Sequence, residues 1–257
     1  MSKLLSSELF KLKKCIGLRV CLIVFLSYSA LNMLIIGLFD QFSFYTGYTY
    51  FNACLGSLSG SSIYGMLLGF LAASIITTDY KSRDIQCEIA QGYSRAKILV
   101  AKTIIYMSTI LVMSLLLMII NTVGYSLING FGCKFDSEVL LDMIKRVLLA
   151  GYMTTMLYTA CIFLAVSFMS KAASVALNIL VFFVLNLGTS LVDMLFEAFD
   201  SDIFSKIARY FPFISISEVT MPDAKGKYIL ISMLVALLWG VLLYVGTWAI
   251  FRKRNMR

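Results

Sequence analysis

Six stretches of the chain carry no charged residue: 20–39, 41–78, 103–133, 147–170, 172–192 and 228–251. Each reaches the roughly 20 residues an α-helix needs to cross the hydrocarbon core of a bilayer. No water is present at that depth, so only helices or a closed barrel satisfy the backbone. The runs are far too long for barrel strands. The pattern predicts an all-α, polytopic membrane protein with six transmembrane helices, at about 18–39, 57–78, 98–120, 146–169, 173–195 and 228–250.

The polar stretches between the runs add detail. Leu5, Leu9, Leu12 and Ile16 recur at helical spacing beside Lys11, Lys13 and Lys14, which predicts a short amphipathic helix over 3–16 lying in the membrane interface. The segment 79–97 separates the second and third spans. Within it Ile85 and Ile89 share one helical face, and Asp84 and Glu88 share the next. Gly92 is placed to end that helix in the left-handed conformation, and Ser94 to cap the following one. Ser61, Gly65, Gly69 and Ala73 repeat every four residues along the second span, a stripe that lets another helix approach closely. Asn178, Asn186, Thr189 and Ser190 mark a face of the fifth span that should look at protein. Residues 41–56 are rich in Tyr and Phe, which reads as an interfacial aromatic belt. Ile203, Phe204, Ile207, Tyr210 and Phe211 suggest a short external helix within 196–227.

Composition agrees with the membrane class. Hydrophobic residues make up 60% of the 257 and charged residues only 14%, below the usual share of a soluble domain. With the N-terminus placed in the cytoplasm, 15 of the 22 Lys and Arg residues fall inside and 7 outside, and ten of the 14 acids fall outside. The positive-inside rule therefore expects both termini in the cytoplasm. The net charge of +8 reads as anchoring to anionic lipid, not as a nucleic-acid surface. The first apolar run is too long for the core of a cleavable signal peptide and is expected to remain as a span. Of the six cysteines only Cys54 and Cys133 face outside in this topology, and sequence does not fix whether their separation permits a bridge.

Several chemistries lack their residues. The chain has no histidine, which removes Ser-His hydrolysis, HExxH zinc sites and His-based phosphotransfer. No cysteine pair has metal-ligand spacing, and no phosphate-binding P-loop occurs. No catalytic, cofactor or metal residues are expected. No charged residue falls near the middle of a span, where an ion-coupled transporter would place one.

The order Glu88, Gly92, Ser94-Arg95 and then Lys102 resembles the coupling segment of the type-2 ABC exporter permeases. Glu8-Leu9-Phe10-Lys11-Leu12 resembles the elbow helix that opens many of them. The resemblance implies that residues 1–257 form one permease domain whose segment 79–97 docks on a separate ATPase. Asp84, Ile85, Glu88, Ile89, Gly92 and Arg95 would make that contact. ATP and Mg would be bound by the ATPase, with no cofactor in this chain. It further implies two permease copies, a homodimer being the commonest closed assembly, with two ATPase copies in a bacterial plasma membrane. Ser61, Gly65, Gly69, Asn178 and Asn186 are the expected pathway residues. Uncharged spans mixing Ser, Thr, Asn and Tyr with Phe and Met favour amphipathic or hydrophobic peptides, such as toxins or bacteriocins, as substrate. A lipid or a hydrophobic drug would suit the same surface. A non-transporting scaffold or immunity protein is the other reading of an apolar chain, and it has no use for an amphipathic lever with a glycine hinge.

Overall fold

The structure, a computed structural model, describes residues 2–38, 46–57, 63–82, 84–134, 136–168, 170–199, 215–216, 219–221, 224 and 226–253. Ten helices are described: α1 Ser2–Lys14, α2 Ile16–Leu38, α3 Gly47–Ser57, α4 Ile63–Lys81, α5 Asp84–Ala90, α6 Arg95–Asn129, α7 Ser137–Leu157, α8 Thr159–Phe168, α9 Lys171–Phe199 and α10 Gly226–Lys253. No strand occurs among the described residues. The protein is all-α and multi-pass. Four helical stretches are long and apolar enough to cross a membrane: Ile16–Ile35, Arg95–Asn129, Ser137–Phe168 and Gly226–Lys253. Lys171–Leu185 is a shorter apolar helix, and the expected second span lies in α4, a helix of 19 residues.

Several boundaries differ from the sequence reading. The third span does not stop near 120. α6 runs on to Asn129 because Asn121, Tyr125 and Ser126 are compatible with helix, and it stops where Gly130 turns to a φ of 78°. α7 begins at Ser137, well before 146, because Asp136 caps it, accepting from the Ser137 N–H at 2.7 Å. The acidic loop expected over 121–142 is thereby reduced to 130–136. Within the aromatic loop expected over 41–56, the described residues instead include the helix α3, which packs against α6 and α7. Tyr50 stacks on Tyr125 of α6 with ring centroids 3.6 Å apart. The external helix expected within 196–227 falls almost wholly outside the described residues.

The core is built around α4, which touches α2, α6, α8 and α9. Tyr64, Tyr106 and Tyr158 are buried at its centre, and the Tyr106 hydroxyl donates to the Leu68 carbonyl at 3.0 Å. The span Ser137–Phe168 is broken at Tyr158, between α7 and α8. Hydroxyls that bond backward supply a local cause: Thr154 donates to the Ala150 and Gly151 carbonyls, Thr155 to Tyr152, and Thr159 to Thr155.

Two ends of the bundle can be told apart. One holds α1, the ends of α4 and α10, α5 and the start of α6. Lys11 meets Glu88 there, the Arg95 guanidinium donates to the Arg252 carbonyl at 3.1 Å, and Tyr80 meets Phe251. The other end holds α3, the end of α6 and the start of α7, joined by backbone bonds from Gly47 and Tyr48 to the Gly130 and Phe131 carbonyls. Cys54 and Cys133 are not joined in a disulfide. Cys54 is buried and accepts from the Asn121 amide at 3.9 Å, while Cys133 is exposed.

Candidate functional site

The segment between α4 and α6 folds as its residues require. Gly92 has a φ of 88°, which glycine adopts without a Cβ penalty. Its N–H bonds to the Ile89 carbonyl at 2.9 Å, and the Tyr93 N–H bonds to the Glu88 carbonyl at 3.2 Å. This pair of bonds is a Schellman motif, which satisfies the last carbonyls of α5. Ser94 then caps α6, its hydroxyl accepting from the Lys97 N–H at 3.4 Å. A short helix, a reversed turn and a capped long helix follow one another with little slack.

A buried ionic cluster joins this segment to three other helices. Lys102 of α6 and Glu8 of α1 are each only 3% exposed. The Lys102 ammonium donates to both Glu8 carboxylate oxygens, at 3.0 and 3.1 Å, and to Asp79 at the end of α4. Lys11 of α1 donates to Glu88 of α5 at 2.6 Å and to Glu8 at 3.3 Å, and lies 3.9 Å from Asp79. Partial burial acts against the Lys11 charge. The Glu88 hydrogen bond and the carboxylates of Asp79, Glu8 and Glu88 outweigh it and raise its pKa above the ordinary lysine value. Three carboxylates thus share two ammonium groups across α1, α4, α5 and α6. Pairs of this kind fix geometry more than they add net stability, because desolvation offsets much of the attraction. Among the described residues no His, Cys, Asp and Glu group is disposed to hold a metal ion.

The sequence-predicted contact residues divide into two sets. Ile85 is in the main core, Glu88 is buried against Lys11, and Ile89 packs on a small cluster of Leu4, Ile98 and Ala101. These side chains hold α5 against its own subunit. Arg95 ties α6 to the end of α10. Asp84 is half-exposed in the first turn of α5, and the outward surface is Cys87, Ala90, Gln91 and Gly92. The expected stripe over 3–16 is also rearranged. On α1, Leu4, Glu8 and Lys11 face protein, whereas Leu9 and Phe10 are exposed, as is Ile16 at the start of α2.

Of the expected pathway residues, the structure brings two together. A Cβ on Gly69 would meet the Asn178 Cβ at 2.6 Å, so α4 and α9 cross here in close contact. Asn178 is fully buried and its amide donates to the Ser174 carbonyl at 2.8 Å. Gly65 is buried one turn away. Asn186 lies in α9, its side chain outside the described set, and Ser61 is outside the described residues.

A second buried charge sits at the opposite end. Arg146 of α7 donates to Asn52 at 2.7 Å, to the Tyr48 hydroxyl at 2.9 Å and to Asp142. It pins α3 to α7.

Sequence reasoning names Glu8, Lys11 and Lys102 and starts the polar segment at residue 79, without joining them. A signal was present. Only four acids lie on the basic side, Glu8, Asp79, Asp84 and Glu88, and three of them are in the cluster. A carboxylate kept at the edge of an apolar run needs a cation beside it.

No curated protein matches the chain. Residues 4–186, well over half of the 257, match the family model described as ABC-2 family transporter protein. The match spans α1 through most of α9, and so contains the elbow helix, the capped segment 84–95 and every member of the ionic cluster. With the multi-pass helical fold, this establishes that the chain belongs to the ABC-2 transporter family, as a permease subunit of an ABC transporter.

Proposed function

We propose that this permease is the membrane half of an exporter driven by separate ATPase subunits, and that α5 is the helix on which the ATPase docks. The ionic cluster carries the reading. A push on α5 reaches Glu88, passes through Lys11 and Lys102, and is shared by α1, α4 and α6 without a flexible link. The docking surface is the outward one, Cys87, Ala90, Gln91 and Gly92. Both termini and α5 face the cytoplasm in this reading, as the Lys and Arg asymmetry favours. A second permease copy completes the pathway, and the exposed apolar face of α9 (Ile179, Leu180, Phe183 and Leu187) is available to it.

The substrate is an amphipathic or hydrophobic peptide carried outward. The buried centre supports this, since Tyr64, Tyr106, Tyr158, Thr154 and Ser114 are polar without charge. A small ion would find no counter-charge there.

Two variants separate docking from transmission. Gln91→Trp should reduce co-purification of the ATPase. Glu8→Gln should leave co-purification intact and lower substrate-stimulated ATP hydrolysis. Purification of the wild type without a stoichiometric ATPase overturns the docking reading. A panel of amphipathic helical peptides tests the substrate: hydrolysis in the reconstituted complex should respond to them, and a response to lipids or hydrophobic drugs alone reassigns it.

A further inference from the structure

A cavity of about 400 Å³ opens where α1 bends into α2, beside the end of α4 that carries Asp79. Its size lies within the roughly 300–1,000 Å³ of small-molecule sites. Its walls mix two kinds of residue. Some are apolar, with Ile75 and with Phe10 and Ile16, which are 58% and 74% exposed and so open toward the bilayer. Beside them stand Lys14 and Lys171, whose ammonium groups sit over the Phe10 and Phe70 rings at 4.4 and 5.1 Å. Neither lysine has a carboxylate within ion-pairing reach among the described residues. Ser74 also lines the cavity, and its hydroxyl is buried without a hydrogen-bond partner among the described residues.

The three acids of the lining, Glu8, Asp79 and Asp84, equal its three lysines in number, but they are not spread evenly. Glu8 and Asp79 face Lys102 and Lys11 in the ionic cluster, so Lys14 and Lys171 are the lining cations that no carboxylate faces among the described residues. A ligand that matches places one negative group between these two lysines, with a hydrogen-bond acceptor for Ser74 and an apolar tail leaving sideways past Ile16. We propose that this cavity is a binding site for one anionic glycerophospholipid, drawn from the leaflet on the N-terminal side. Its phosphate lies between Lys14 and Lys171, and its acyl chains run along Phe10 and Ile16. The lipid fills the corner between the elbow helix and α4, next to the cluster that links both to α5.

Native mass spectrometry of the full chain in detergent, titrated with dioleoylphosphatidylglycerol, tests the site. Each lysine near a lipid phosphate is worth roughly a fivefold change in affinity, so Lys14→Gln/Lys171→Gln should weaken the first bound lipid by about 25-fold. Thr78 is exposed and lines the cavity, so Thr78→Trp should fill it and lose the lipid with all charges kept. Equal lipid binding by wild type and both variants overturns the proposal. Loss in the lysine variant with full binding by Thr78→Trp also overturns it, because the lysines then act outside the cavity. Stoichiometric binding of inorganic phosphate that displaces the lipid assigns the site to a free anion instead and overturns the lipid.

Discussion

Lys102→Met removes the ammonium that both Glu8 and Asp79 face, while keeping the unbranched stem of the side chain as far as Cε. Glu8 then retains only Lys11, at 3.3 Å, and Asp79 only the same lysine at 3.9 Å. Breaking a buried pair by removing one partner costs about 3–5 kcal/mol. Protonation sets a ceiling. A carboxylate that ordinarily titrates near pH 4 can be neutralised at pH 7 for about 4 kcal/mol, so no stranded acid costs more than that. For a chain of this length the loss corresponds to a fall in melting temperature on the order of 10 °C. The assay is thermal unfolding of the purified permease, followed by fluorescence-detected size exclusion. Two comparisons make it specific. Lys14→Met removes a lysine outside the cluster and should shift the midpoint little. Lys102→Met combined with Glu8→Gln and Asp79→Asn should recover a large part of the loss, because no charge is then stranded. A midpoint for Lys102→Met within a degree of Lys14→Met would refute the buried cluster. Failure of the triple variant to recover would show that lysine packing, not charge, carries the effect.

Other outcomes follow from the same geometry. Gly69→Ala should destabilise by about 1–3 kcal/mol through overpacking against the Asn178 Cβ, and Asn178→Gly, which removes that Cβ, should relieve part of it in the double variant; additive losses would contradict the close crossing. Gly92→Val should lower substrate-stimulated ATP hydrolysis far more than Gly92→Asn, since a Cβ there meets open space and only the positive φ is at issue; equal effects would exclude a backbone cause. Cys87 and Cys133 are both exposed and lie at opposite ends of the bundle, so an impermeant thiol reagent on intact cells should label Cys133 and spare Cys87; the reverse would invert the topology. The raised pKa of Lys11 means its pairing is fully present below the unfolded value of 10.5 and is lost only as pH rises through the higher folded value. With no histidine in the chain, the melting temperature should hold level through neutral pH and fall only above about pH 8, where cysteine thiols released by unfolding begin to ionise.

The sequence made the class, the apolar runs and the local turn chemistry of 84–95 readable, because each rests on neighbouring residues. Gly92 and Ser94 do what their types favour. The limits of charge-free runs were a poorer guide to helix ends. Asn121, Thr122 and Ser126 are polar but helical, and α6 passes through them. α3 was hidden because Tyr48, Tyr50 and Phe51 suit an interfacial loop as well as a helix packed on α6. The two faces of α1 were assigned by hydrophobicity alone. Glu8 turns inward because Lys102 waits there, 94 residues away in sequence, and no local pattern records that contact. Glu88 was read as facing a partner for the same reason, when its own subunit supplies Lys11.

α6 has one further consequence. It is a single helix of 35 residues, so at about 1.5 Å per residue it is roughly 52 Å long. That exceeds the roughly 40–45 Å thickness of a bilayer with its headgroups. Its base is gripped by Lys102 and its tip lies beside Gly47 and Tyr48 of α3. Such a rod works as a long arm on a short pivot. A tilt of about 5° at the base sweeps the tip through roughly 4–5 Å, the width of an aromatic side chain. A displacement at the base too small to disturb the ion pairs would therefore be magnified into a full side-chain width at the α3 end.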